Sequence, residues 1–277
     1  MTTTGKPLPP PVNGKKTQAP PAQVESSNKQ FSVLSGKLDT PQRVVIYGPG
    51  GIGKSTLAAL APKPVFLDIE GGTNELDVLR VPDINTFSDL RGVLQSNVLD
   101  GFQTVVLDTA TKAEELATAH TLANTPHEKG HYVKSVEGYG FGKGMQHVFD
   151  TFMLLLSDLD RQVRLGRNVV LVAHDCVTDV PNPVGDDWIR YEPHLQAPKS
   201  GKASIRNRVI QWADHVLFVG YDVAAKDGKG IGGGTRTIYT FELPSHIAKS
   251  RKIRESLPFT TPDDSRIWDL ILGVRHE

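Results

Sequence analysis

"VVIYGPGGIGKSTLAAL", residues 44–60, decides the fold. Four apolar or aromatic residues lead into a glycine-rich turn, and helix formers follow, so the stretch reads as strand, turn and helix. Gly48, Gly50 and Gly53 fit G-x-G-x-x-G, the turn that lays a dinucleotide pyrophosphate on a helix N-terminus. The same glycines with Lys54 and Ser55 fit G-x-x-x-x-G-K-[ST], the phosphate loop of nucleoside triphosphatases.

The dinucleotide reading has one support. Such folds place an acid about 20 residues beyond the first glycine to hold ribose hydroxyls, and Asp68 and Glu70 stand there. Two features decide against it. Lys54, Ser55 and Thr56 have no task at a pyrophosphate turn. In a phosphate loop the lysine reaches the β and γ phosphates and the first hydroxyl ligates Mg²⁺. Asp108 then ends the apolar run "TVVLDT", where an aspartate completes the Mg²⁺ shell. The reading is ATP or GTP with Mg²⁺. Gly48, Pro49, Gly50, Gly51, Ile52, Gly53, Lys54, Ser55 and Thr56 form the cradle, and Ser55 and Asp108 hold the metal. Glu70, in "VFLDIEGG", is the carboxylate at a strand end that can orient and deprotonate a water.

The chain has 277 residues, with 31 Lys+Arg against 31 Asp+Glu, so any affinity for nucleic acid must come from local patches. Cys176 is the only cysteine, which excludes an intrachain disulfide, suits a reducing compartment and reads as a small packed thiol. The histidines show no metal-ligand spacing. No apolar run approaches the ~20 residues that span a bilayer, and the opening residues lack the apolar stretch of a secretory signal. A cytoplasmic protein is expected.

Residues 1–30 are rich in proline and poor in large apolar side chains, which predicts a disordered tail. Residues 31–277 form one domain. "RVVIY", "PVFLDIE", "FQTVVLDT", "NVVLVAHD" and "ADHVLFVGYD" read as buried strands. "INTFSDLRGVLQS", "AEELATAHTLA" and "MQHVFDTFMLLLSDLDRQVRLG" read as helices between them. This alternation predicts an α/β fold with a mainly parallel sheet covered on both faces. "TRTIYTFEL" reads as an antiparallel edge strand, "GKGIGGGT" (228–235) as a hairpin loop, and "DDSRIWDLILG" as a closing helix.

"GPGGIGKST", "FLDIE" and "VVLDT", in that order, resemble the RecA-like recombinase core, over roughly residues 42–251. The likeness is nearest to phage-encoded RecA-like ATP-binding proteins, some of which anneal single-stranded DNA. The resemblance implies a core-only ATPase, with Glu70 as catalytic glutamate and His174, at the end of "NVVLVAHD", as sensor of the γ-phosphate. "HIAKSR" resembles the late segment whose basic residues, here Lys249 and Arg251, act on a neighbouring subunit's ATP. A homo-oligomer is therefore expected, and phage encoding would place it in the host cytoplasm.

Two segments stand where the family binds DNA. Residues 127–144 mix Lys129, Lys134 and Lys143 with Tyr132, Tyr139 and Phe141, a composition suited to stacking on bases beside phosphates. Residues 175–208 read as a long loop turning basic at Lys199, Lys202, Arg206 and Arg208. The function expected is an ATP-dependent recombination protein on single-stranded DNA, with a single-strand DNA-binding protein as a further partner. A RecA-core motor or loader and a small-molecule kinase are the alternatives.

Overall fold

The computed structural model describes residues 38–226 and 229–273, with residues 1, 33, 35 and 36 before them. The chain divides into two units, Met1–Leu38 and Asp39–Glu277. The proline-rich tail lies outside the described residues.

The second unit is an α/β P-loop fold. Its parallel strands are β1 (Arg43–Tyr47), β2 (Pro64–Asp68), β3 (Thr104–Asp108), β4 (Asn168–Ala173) and β7 (His215–Lys226). Strands β5 (Asp175–Val180) and β6 (Trp188–Pro193) pair with each other in a separate two-stranded sheet, and Tyr191 of β6 bridges to His246. Strands β8 (Lys229–Tyr239), β9 (Lys249–Ser250) and β10 (Leu257–Pro258) are antiparallel additions at the β7 side. The order across the main sheet is β10-β8-β7-β1-β4-β3-β2. One strand, β4, thus separates the phosphate-loop strand β1 from the strand that ends in Asp108.

β1 shows why the sheet is covered on both sides. Val45 and Tyr47 enter one core and Val44 and Ile46 the other, all fully buried, because alternate strand residues face opposite ways. The first core packs under α2 (Phe87–Gln95), α3 (Ala110–Asn124), α4 (Lys143–Arg164) and α5 (Ile205–Trp212). The second packs under α1 (Lys54–Ala59) and α6 (Arg266–Leu272), where Trp268 Nε1 donates to the Leu57 carbonyl at 2.8 Å. Thr86 and Asp89 form a capping box at α2, and Thr109 caps α3 by accepting from Lys112 N. Such caps contribute about 1 kcal/mol each.

Three sequence expectations change. Residues 175–208 are not a loop: hairpin β5–β6 and the first half of α5 occupy most of them, because alternating Val177, Asp179, Ile189 and Tyr191 pair across the hairpin. Residues 229–235 are not a hairpin loop either, and Gly228 lies outside the described residues. Gly230 and Gly232 pair with Ala225 and Val223 inside β8, since a glycine backbone bonds in a ladder like any other. Finally, Tyr139 lies in a short 3-10 turn, Val136–Tyr139, and packs inward.

Candidate nucleotide site

The site lies at the C-terminal edge of the parallel strands. β1 ends at Tyr47, and Gly48 turns so tightly that a Cβ there would sit 2.1 Å from the Val219 carbonyl oxygen of β7. Only glycine fits. Gly53, at φ 104°, caps α1, and a Cβ on it would meet Arg236 Nη1 at 2.9 Å and the Phe259 ring at 3.1 Å. Arg236 lies over that ring at 4.7 Å and donates to the Ile52 carbonyl at 3.2 Å, which braces the loop from β8.

Lys54 is buried, and its Nζ donates to the carbonyls of Gly48 and Pro49, both at 2.8 Å. The ammonium therefore lies inside the curve of the loop, where phosphate oxygens would take over from the carbonyls. Burial pulls its pKa down, against the opposing charges of Asp175, Asp108 and Glu70. Ser55 Oγ donates to Asp108 Oδ2 at 2.6 Å. Burial pushes the Asp108 carboxyl above its usual range, Asp68 and Glu70 add repulsion, and Ser55 and Lys54 oppose the shift. The residues fit Mg²⁺: a hydroxyl and a carboxylate side by side, in a pocket with more carboxylates than cations, is a hard-cation donor set. When bound, Mg²⁺ supplies charge stabilisation to the phosphoryl oxygens.

Asp68 is the residue that sequence reading left without a role. Its carboxylate accepts from the backbone N–H groups of Glu70, Gly71, Gly72 and Thr73 and from the Thr73 hydroxyl. The turn after β2 is wound around this one side chain, and the acid followed by Gly-Gly-Thr was the signal for it. Glu70 is thereby presented toward β4, where its Oε1 lies 2.9 Å from His174 Nε2. Burial pushes the Glu70 carboxyl up, but hydrogen bonds from His174 and Thr109 and the charge of Lys112 outweigh it, and the carboxyl titrates below its usual range. His174 is fixed in turn: its N–H donates to Thr111 Oγ1 at 3.1 Å, and Thr111 Oγ1 donates to the His194 carbonyl at 3.2 Å. Thus Lys54, Ser55, Asp108, Glu70 and His174 share one edge, within a chain of contacts.

Lys249 and Arg251 are not part of it. Lys249 pairs with Val216 near the start of β7, three residues before Val219, and Arg251 forms an ion pair with Asp214 at 3.3 Å. They belong to the opposite edge of the sheet.

The two DNA-binding candidates are only partly available. Tyr132 and Phe141 are exposed, as are Lys129 and Lys134, while Lys143 pairs with Glu128. Tyr139 cannot stack on a base, because its ring is buried and its hydroxyl donates to the Thr121 and Thr125 carbonyls. In the second segment Lys199, Lys202 and Arg208 are exposed. Arg206 is withdrawn from any surface role: it is buried, paired with Glu192, and donates to the Leu195 carbonyl and Cys176 Sγ. Cys176 is half-buried in that network, and burial raises its pKa. Among the described residues no helix is long and apolar enough to cross a membrane.

Comparison with known proteins adds three findings. A family model described as an AAA domain matches residues 40–252. The SPbeta prophage-derived uncharacterized protein YorG of Bacillus subtilis (strain 168) is 22% identical over 234 residues, covering 82% of this chain. The chain spans 64% of the length of that curated relative. The crystal structure of a KaiC-like protein from Pyrococcus horikoshii OT3 aligns at 16% identity over 81% of this chain and 88% of its own, with a TM-score of 0.43, a likeness that carries no argument.

Proposed function

The chain belongs to the AAA domain family, and from that premise we propose that it is a P-loop ATPase of RecA-like architecture that hydrolyses ATP with Mg²⁺ and works on single-stranded DNA in phage-type recombination, by annealing or recombinase-like action. The observation that carries the hydrolytic half is the shared edge itself. Lys54 and the loop amides hold the phosphates, Ser55 and Asp108 hold the metal, and Glu70, oriented by Asp68 and His174, faces the attacking water. A carboxyl held below its usual range stays ionised at neutral pH, so it orients the water and accepts its proton late in the transfer. His174 reads the γ-phosphate through Glu70.

The DNA half draws support from the prophage-derived relative and from residues 127–144. Phe141 is fully exposed at φ 48°, between Gly140 and Gly142, both at 72°. A left-handed phenylalanine with no packing costs free energy, a cost that a stacked base would offset. Lys129 and Lys134 precede it in the same segment. Action on the neighbouring subunit's ATP by Lys249 and Arg251, in a homo-oligomer, belongs to the same proposal. The test is ATP turnover with and without a single strand. Stimulation by DNA is the expected result. Phosphoryl transfer to a small acceptor, or turnover indifferent to DNA, overturns it.

A further inference from the structure

Between α4 and α5 runs a groove of about 500 Å³, lined by Phe149 and Met153 on α4 and by Lys202, Asn207, Arg208 and Gln211 on α5 and the turn before it. Phe149 and Met153 are half-buried against the first core and form an apolar floor, and methionine adapts to irregular partners. Gln196 Nε2 fixes one end of the groove, donating to the Met145 carbonyl at 3.0 Å and to the Ala203 carbonyl at 2.7 Å. The lining carries two exposed cations and no carboxylate. Among the described residues neither Lys202 nor Arg208 has an ion-pair partner. Asp150, next to Phe149 in the sequence, accepts from Gln146 Nε2 at 2.8 Å.

The same chain carries a surface of the opposite character. The β5–β6 hairpin is a two-stranded sheet of its own, a form that is marginal in water without packing. Its register puts Val177, Asp179, Ile189 and Tyr191 on one face, and all four are exposed. Val177 is 55% exposed, Ile189 63%, and Val184 at the tip 95%. The tip is fixed from within: Asn182 N donates to Asp187 Oδ1 at 2.8 Å, and Val184 N donates to Asn182 Oδ1 at 3.1 Å. Asp179 and Asp186 are exposed and have no ion-pair partner among the described residues. Arg190, the cation of the hairpin, is already paired with Glu192 and Glu242.

We propose that the β5–β6 finger of one copy docks in the α4–α5 groove of a second copy. Val184 and Ile189 cover Phe149 and Met153, and Asp179 and Asp186 meet Lys202 and Arg208. At its exposure Val184 is not seated in the groove of its own chain. A single strand would find cations here but no exposed ring to stack on, since Phe149 is half-buried. Finger and groove are different surfaces of one chain, so the contact is head-to-tail and builds a ring or an open filament. It gives the homo-oligomer a joint, yet it rests on neither ATP nor DNA, and Lys249 and Arg251 take no part in it.

The experiment is sedimentation of the full chain without nucleotide, over rising concentration, with folding checked by melting. The finger variant is Asp179→Lys with Asp186→Lys, and the groove variant is Lys202→Glu with Arg208→Glu. Each alone sets like charges face to face and should raise the concentration at half assembly by about a hundredfold or more. Val184→Ser removes the apolar tip without touching charge and should raise it about tenfold. Mixed in equal amounts, the two charge variants should assemble as the parent does, because the reversed finger meets the reversed groove and the two parent surfaces meet each other. A parent that stays monomeric overturns the proposal, as do folded charge variants that recover nothing on mixing. Assembly that no variant moves overturns the finger contact and leaves a homo-oligomer through another surface. Loss of thymidine-oligonucleotide affinity in the groove variant, with assembly unmoved, makes the groove a DNA surface and overturns the proposal as well.

Discussion

The two ends of β7 do opposite things. At Val219 the strand's carbonyl props Gly48 and so shapes the phosphate loop. Three residues earlier, about 10 Å along the strand, Val216 carries Lys249 on β9. At the first end every reactive side chain has a partner within the chain: Ser55 on Asp108, Glu70 on His174, Lys54 on its own loop. At the second end Arg251 and Arg254 are exposed, with Arg251 paired to Asp214, while Lys249 is half-buried and Lys252 Nζ donates to the Ile271 carbonyl at 2.6 Å. The first end is built to act within the subunit. The second has no route to its own phosphates, so any catalytic use of it lies in another subunit.

The largest expected effect belongs to the first end. Lys54→Ala should abolish tight Mg-nucleotide binding, because the curve of the loop loses its cation. Calorimetry checks it, and retained affinity would remove the phosphate-loop reading.

The second end should show the next effect, and only in an assembly. Lys249→Ala with Arg251→Ala should leave nucleotide affinity intact and lower DNA-stimulated turnover by on the order of 10³, the scale of a cation supplied across an interface. Glu70→Gln should follow, with ATP bound normally and turnover down by about 10² or more, since an amide orients water poorly and takes no proton. Mixing the two inactive proteins then sharpens the comparison. One kind of junction pairs an intact Glu70 with intact basic residues of its neighbour, so part of the activity should return. If co-assembled, folded mutants recover nothing, the two ends do not share a site.

The comparison also marks what a sequence reveals. The five buried strands and the helices between them were legible because continuous apolar runs and helical spacing are local signals, as "TVVLD" and the Phe87, Leu90 and Leu94 stripe of α2 illustrate. The nine-residue phosphate loop was legible for the same reason. The meeting of Glu70 with His174 was not, since 104 residues separate them and β4 must first insert between β1 and β3. Arg206 misled because an arginine in a basic run looks solvated until Glu192 folds onto it. Tyr139 misled likewise, because its two acceptors are carbonyls at the end of α3 that composition does not announce. The groove between α4 and α5 was not legible either, since Phe149 and Arg208 stand far apart in the sequence and meet only in three dimensions.

The smallest expected effect is on stability against pH. His215, fully buried at the second end, faces Ser250 Oγ at 2.8 Å through Nδ1 and Gln42 Oε1 at 3.2 Å through Nε2. Burial lowers its pKa from 6.5 to about 4, Asp214 opposes the shift, and Lys252, Arg251 and Lys249 reinforce it. The unfolded chain therefore binds this proton first, and the fold loses stability as pH falls from 6.5 toward about 4. Glu114, on the helix that follows Asp108, has the opposite sign. Burial raises its carboxyl from 4.5 to about 7, against a hydrogen bond from Gln196 N and the charge of Arg206, so its contribution is full below 4.5 and is lost as pH rises through 7. The two slopes offset each other in the parent protein, and single variants separate them. His215→Gln should leave melting temperature rising as pH falls from 6.5 to 4.5, and Glu114→Gln should leave it falling. Identical slopes in both variants would show that neither group is held as its surroundings require, and that the far end of β7 is no more sensitive to acid than the phosphate end.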